Sequence, residues 1–257
     1  MRMYVLMAAM AAAGCGGCSS WREPAPKAEA PAEAAPVVPA PPAAPVPSTS
    51  KGLFDNRTTA GMVWKDYPFD KSTAGEPPAQ FTFARTGMGR PGKWVVRAVE
   101  GAPDDGQVLV QEDADATDFR FPVAVADEPV SADMRISARV RMVSGEVDRA
   151  AGLVLRYVDA DNYYVTRANA LENNVMLFYV KEGRRIAIGV WNGTVTAGEW
   201  HSYEFVAKGD HLLVRWDGNP VLDTRDATIT AAGKAGLWTK ADSVTQFDSV
   251  RVEALVP

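Results

Sequence analysis

Between Ala132 and Gly145 the chain reads ADMRISARVRMVSG, and Met134, Ile136, Ala138, Val140 and Met142 alternate with Arg135, Ser137, Arg139 and Arg141. Successive strand side chains point to opposite faces, so this is a strand with one buried and one solvated face. Period-two patterns dominate downstream, and no segment carries a helical repeat of useful length. Further strand candidates are KWVVRAV, QVLVQE, FRFPVAV, AAGLVLRYV, NYYVTRAN, VMLFYVK, RIAIGVW, WHSYEFVAK, HLLVRWD, NPVLDT, KAGLWTK and FDSVRVEAL. Turn residues separate them at Glu182-Gly183, Lys208-Gly209-Asp210 and Asp217-Gly218-Asn219. About a dozen short strands at regular spacing predict an all-β fold, a two-sheet antiparallel sandwich of jelly-roll type, with a closed barrel as runner-up.

The two ends of the chain differ in kind. MRMYVLMAAMAAAGCGGC has one early cation, an apolar run and small residues before a cysteine, which is the layout of an export signal. The run is shorter than the roughly 20 apolar residues needed to span a bilayer. Ala12-Ala13-Gly14-Cys15 resembles a bacterial lipobox, so Cys15 is the expected lipidation site. Cys18 is a poorer alternative, and an ordinary secretory signal is the rival reading. Trp21 to Ser50 is dominated by Ala and Pro and has too few large apolar residues for a core. The expected organisation is a signal and lipobox over 1–18, an Ala/Pro-rich linker over 19–61 and a folded domain over 62–257. Gly16 is not the aspartate linked to inner-membrane retention, so the expected location is the cell envelope, in an outer membrane if the cell has one. Both cysteines precede the folded part, so neither a disulfide framework nor a thiolate metal site is expected in it. Net charge is -5 and no Lys/Arg cluster stands out, which argues against nucleic acid as a partner.

RYVDADNYYVTRANALENNVMLFYV, from Arg156 to Val180, is unusually polar for a hairpin in such a fold. An even-numbered loop predicts Val158 opposite Tyr163, Arg156 opposite Val165 and Val154 opposite Arg167. Leu153 and Leu155 then share a face with Tyr164, Thr166 and Ala168, while Tyr163, Arg167 and Asn169 join Arg156 on the other. An odd loop would bury Arg167 beside Leu155, a costly placement without a partner. The expected Arg156–Arg167 neighbours need acceptors, which Glu172, Asp242 or a ligand would supply. Trp238 and Lys240 share a face of GLWTKADS. Rings beside Arg, Asn and Asp suit sugars, whose C–H faces stack while hydroxyls take directed hydrogen bonds.

The segments AAGLVLRYVDADNYYVTRANALENNVMLFYVKEGRR and GEWHSYEFVAKGDHLLVRWDGNPVLDTRDATITAAGKAGLWTKADSVTQFDSVRV resemble bacterial exported domains of the concanavalin A-like lectin/glucanase superfamily, nearest those described as 3-keto-disaccharide hydrolase domains. The resemblance runs from roughly Trp64 to Val252 and implies a jelly-roll sandwich with a concave sheet able to hold a glycan. It also implies, for some members, a structural calcium at the sandwich edge, with Asp248 as a weak candidate ligand. The alternating Glu-x-Asp-x-Glu run of laminarinase-type members is absent. Asp113-x-Asp115 and Asp159-x-Asp161 read as turns, and His201 and His211 as packing or surface residues. The expected function is a non-catalytic, lipid-anchored glycan-binding module. Arg156, Arg167 and Asn169 would bind polar groups, Tyr163 and Trp238 would stack, and Glu172, Lys240 and Asp242 would complete the site. Alternatives are a glycoside hydrolase or lyase on 3-keto or acidic sugars, with Glu172 or Asp242 as acid or base, and a surface adhesion module.

Overall fold

In the computed structural model, which describes residues 63–104 and 106–255, the Met134–Ser144 stretch is a strand whose residues alternate between buried and half-exposed as far as Met142. Fifteen strands occur among the described residues, with no helix between them. In chain order they are β1 (Val63–Tyr67), β2 (Phe81–Gly87), β3 (Trp94–Ala98), β4 (Gln107–Gln111), β5 (Arg120–Ala126), β6 (Met134–Ser144), β7 (Ala150–Asp159) and β8 (Asn162–Asn169). There follow β9 (Asn174–Lys181), β10 (Arg184–Asn192), β11 (His201–Lys208), β12 (His211–Trp216), β13 (Asn219–Arg225), β14 (Lys234–Trp238) and β15 (Val244–Ala254). Strands β1 and β2 were not anticipated. VWKDY is too polar, and the buried residues of FTFARTG, Phe81 and Thr86, are too irregularly spaced to show a period. The readings for 1–18 and 19–61 lie outside the described residues.

The strands form two antiparallel sheets, a jelly-roll sandwich. One has the order β13-β12-β11-β6-β15-β4-β3, with β1 also on β15; the other has seven strands in the order β10-β9-β8-β7-β14-β5-β2. Between them lies a core that includes Ile136, Val140, Leu153, Leu155, Tyr164, Leu177, Phe205, Leu237 and Phe247. Each such side chain contributes roughly 1.5–3 kcal/mol on leaving water. The two-residue turns Glu182-Gly183 and Asp217-Gly218 have positive φ at both positions, the backbone that matches strand twist in a tight hairpin.

The opening hairpin departs from its expected register. Asp159 pairs with Asn162 as an even loop requires, but Val154 pairs with Val165 and Gly152 with Arg167. A bulge between Leu155 and Asp159 absorbs two residues, and Arg156 sits in it at φ 51°. A shift of two preserves the faces of β8, so Tyr164, Thr166 and Ala168 still lie with Leu153 and Leu155. Arg156, however, is turned away from Arg167. Its guanidinium donates to the carbonyls of Ala132 (2.7 Å), Ile229 (2.7 Å) and Gly209 (2.6 Å). Three fixed carbonyls, supplied by loops distant in sequence, outweigh the regular ladder that local spacing favours.

The seven-stranded sheet is strongly curved away from the core. Three strands separate β8 from β2, and a flat sheet would hold them roughly 19 Å apart. Yet Tyr163 Oη lies 2.8 Å from Thr86 Oγ1. The outer face is therefore concave, and side chains from strands far apart in the sheet meet across it.

Candidate functional site

The concave face is lined by a second apolar cluster. Phe121, Val123 and Val125 come from β5, Val154 from β7, Tyr163 and Val165 from β8, Phe178 and Val180 from β9, and Trp238 from β14. A strand buried on both faces loses the polar half of its alternation, as RFPVAVA in β5 shows. Trp238 lies parallel to Phe121, centroids 5.3 Å apart and planes 17° apart. It is accommodated by Gly152, its partner on β7, where a Cβ would meet the indole at 2.9 Å.

Arg185 reaches over this floor from β10. Its Cζ lies 4.6 Å from the Phe121 centroid, 4.5 Å from Phe178 and 5.8 Å from Trp238, so the guanidinium is packed on π faces. Its Nη1 is buried and has no hydrogen-bond partner. Burial, with the nearby Arg167 charge adding to it, lowers its pKa to about 10. Arg167 lies near the same Phe178 ring, 5.9 Å from its centroid. Its two Nη atoms donate to Glu172 (3.2 and 2.7 Å) and to Asn174 (2.6 Å), while Nε is buried and unpartnered.

A carboxylate–amine cluster closes one end. Lys240 Nζ stands 2.8 Å from both Asp118 Oδ1 and Asp148 Oδ2. Asp148 Oδ1 accepts from Asn169 Nδ2 at 2.8 Å. Burial raises the pKa of Asp148 and the Lys240 charge opposes the rise. For Glu172 burial also pushes upward, but the Arg167 hydrogen bond and charge, with Asn174, outweigh it and its pKa falls.

The expected site residues fall into three groups. Arg167, Glu172 and Lys240 meet at the polar mouth of the concave face. Asn169 and Asp242 stand behind it: Asn169 Oδ1 accepts from Leu171 N, and Asp242 accepts backbone N–H groups from Glu146, Val147 and Asp148. Asp242 thus holds the loop that delivers Asp148. Tyr163 and Trp238 are fully buried, so they form the floor and do not present open rings; burial pushes the Tyr163 phenol to about 12. Arg156 is elsewhere, bound to carbonyls. Sequence reasoning missed Arg185, Phe121, Phe178, Asn174 and Asp148. For Arg185 the signal existed, because the Glu182-Gly183 turn sets it opposite Val180, which pairs with Tyr163.

The remaining candidates have local roles. Asp159 Oδ1 accepts from Asp161 N and Asn162 Nδ2 within its turn, and Asp113 and Asp115 accept from backbone N–H groups two residues on. His201 lies between Asp217 and Thr196 and stacks on Trp216, and His211 meets Asp223. Asp248 accepts from Asp104 N and Ser249 N. Among the described residues no three His, Cys, Asp or Glu side chains form a metal-binding group. On the other sheet's outer face a cavity of about 280 Å³ is lined by Arg139, Glu204 and Arg215. Arg215 is paired with Glu204, and neighbouring Arg135 meets Glu204 and Glu253.

No protein-family profile matches the chain, and no curated protein matches it in sequence. Solved structures do match in shape. A protein of unknown function from Shewanella oneidensis superposes with a TM-score of 0.50 at 14% identity, covering 84% of this chain and 96% of that one. A carbohydrate-binding module from Bacillus subtilis has a TM-score of 0.49 at 18% identity over 64% and 98% of the two chains. A Caenorhabditis elegans galectin has 0.40 at 16% identity over 48% and 83%. At these identities the likeness concerns fold alone.

Proposed function

We propose that this protein is an exported, lipid-anchored glycan-binding module whose ligand enters the polar mouth of the concave face. The observation that carries the reading is the pair of unsatisfied buried donors, Arg185 Nη1 and Arg167 Nε, beside a floor of aromatic rings. Buried polar groups are seldom left unpaired in a native protein unless something else completes them. The apolar floor is packed shut, so the ligand meets the guanidinium layer above it. Export and anchoring at Cys15 rest on the signal-like N-terminus. The test is calorimetric titration of the intact chain with an oligosaccharide panel beside Arg167→Ala. Binding lost in a folded variant supports the site; equal affinity removes Arg167 from it.

A second reading, glycoside hydrolysis, is favoured by one observation: two carboxyls at this mouth are pushed in opposite directions, Asp148 up and Glu172 down. Such divergence can assign an acid and a base. Product release from the same panel, abolished by Asp148→Asn with binding retained, would select it over simple binding.

A further inference from the structure

Two buried arginines of the described fold, Arg120 and Arg156, are fully committed. Arg120 donates to the carbonyls of Arg90, Pro91 and Ala241 and to Asp113, and Arg156 is held by three carbonyls. Arg185 differs. It has aromatic rings beneath it and neither a carboxylate nor a carbonyl as hydrogen-bond partner. The acidic groups near it are already engaged: Glu172 with Arg167, and Asp118 and Asp148 with Lys240. Arg167, a like charge, shares the Phe178 ring. Three carboxylates thus face three cations at the mouth, but all three are bound to Arg167 or Lys240, which leaves the Arg185 guanidinium without a direct ion-pair partner in a partly desolvated position where such a charge is costly.

We propose that the ligand is an acidic glycan whose oxyanion, a uronate carboxylate or a sulfate ester, docks between Arg185 and Arg167 and accepts from Arg185 Nη1 and Arg167 Nε. This rests on the glycan-binding reading and sharpens it. A neutral hydroxyl would satisfy the hydrogen bonds but leave the charge; an oxyanion satisfies both and offsets the repulsion between the guanidiniums. With its pKa lowered only to about 10, Arg185 is cationic at neutral pH.

The intact chain is titrated with oligogalacturonate, dextran sulfate and neutral maltodextrin at two salt concentrations, with Arg185→Met and Arg185→Lys beside it. One anionic probe should bind, more weakly as salt rises, and which one binds distinguishes carboxylate from sulfate. Arg185→Met should weaken that binding roughly 10- to 100-fold, the loss of a charge-assisted contact, and should melt no lower than the parent. Arg185→Lys should recover only part, since an ammonium lacks the planar fork. Maltodextrin binding as tightly as either anion, unmoved by Arg185→Met, overturns the acidic-ligand inference and leaves glycan binding standing. Binding by none of the three overturns both. Should Arg185→Met fail to fold, the salt series decides: affinity of the parent chain that does not change with salt overturns the inference.

Discussion

Arg156 and Arg185 show why an arginine's role is decided by its partners. In Arg156→Met three carbonyls lose their donor, each worth about 1 kcal/mol or more when stranded. Urea denaturation should show a loss of about 3–5 kcal/mol, with oligosaccharide affinity of the folded protein unchanged. An unaltered urea midpoint would refute the structural assignment. Asp242 and Asp148 predict opposite pH behaviour. Burial pushes the Asp242 pKa up, but three backbone N–H bonds more than reverse this and hold it below its ordinary 3.8. Its stabilisation is therefore present above pH 3.8 and lost as pH falls through the lower folded value. Asp242→Ala should cost about 2–4 kcal/mol at pH 7, with the gap to the parent closing in acid. Asp148, raised by burial, favours the fold below 3.8 and loses that contribution as pH rises through its folded value. Lys240→Met removes the opposing cation, so it should destabilise more at pH 7 than at pH 4; equal losses at both would show that Asp148 does not ionise there.

At the scale of elements, β7 and β14 set the floor. Gly152 is the one residue type that lets the Trp238 ring lie flat, since an added Cβ would meet Thr166 O and the indole Cε3, each at 2.9 Å. Gly152→Val should cost about 1–3 kcal/mol by overpacking, change the near-ultraviolet circular dichroism and weaken oligosaccharide binding. A silent variant would mean that the Trp238 position does not matter to the mouth. The hairpin faces were legible because period two survives a two-residue bulge. The bulge itself was not, because it answers to carbonyls at Ala132, Gly209 and Ile229, each from a different part of the chain.

For the whole molecule, the proposed anchoring gives a direct test. Cys15→Ala should shift the protein from the membrane fraction to the soluble fraction of expressing cells, and a variant that stays with the membrane would reject lipidation at Cys15. Sheet curvature is the other property at this scale. It carries Arg185 on β10 to Phe121 on β5, strands that no local pattern relates, and so creates the mouth where Arg167, Glu172 and Lys240 gather.

The amino-acid sequence by itself determined the all-β class, the sandwich, most strand positions, the tight turns and the faces of β6 and β8, because alternation and turn chemistry act within a few residues. Only the tertiary structure decided that Arg156 is buried in carbonyls, that Trp238 and Tyr163 are floor, and that Arg185 is the cation without a direct ion-pair partner. Those outcomes depend on burial and on which distant groups reach one another when a curved sheet closes, and neither is written in spacing along the chain.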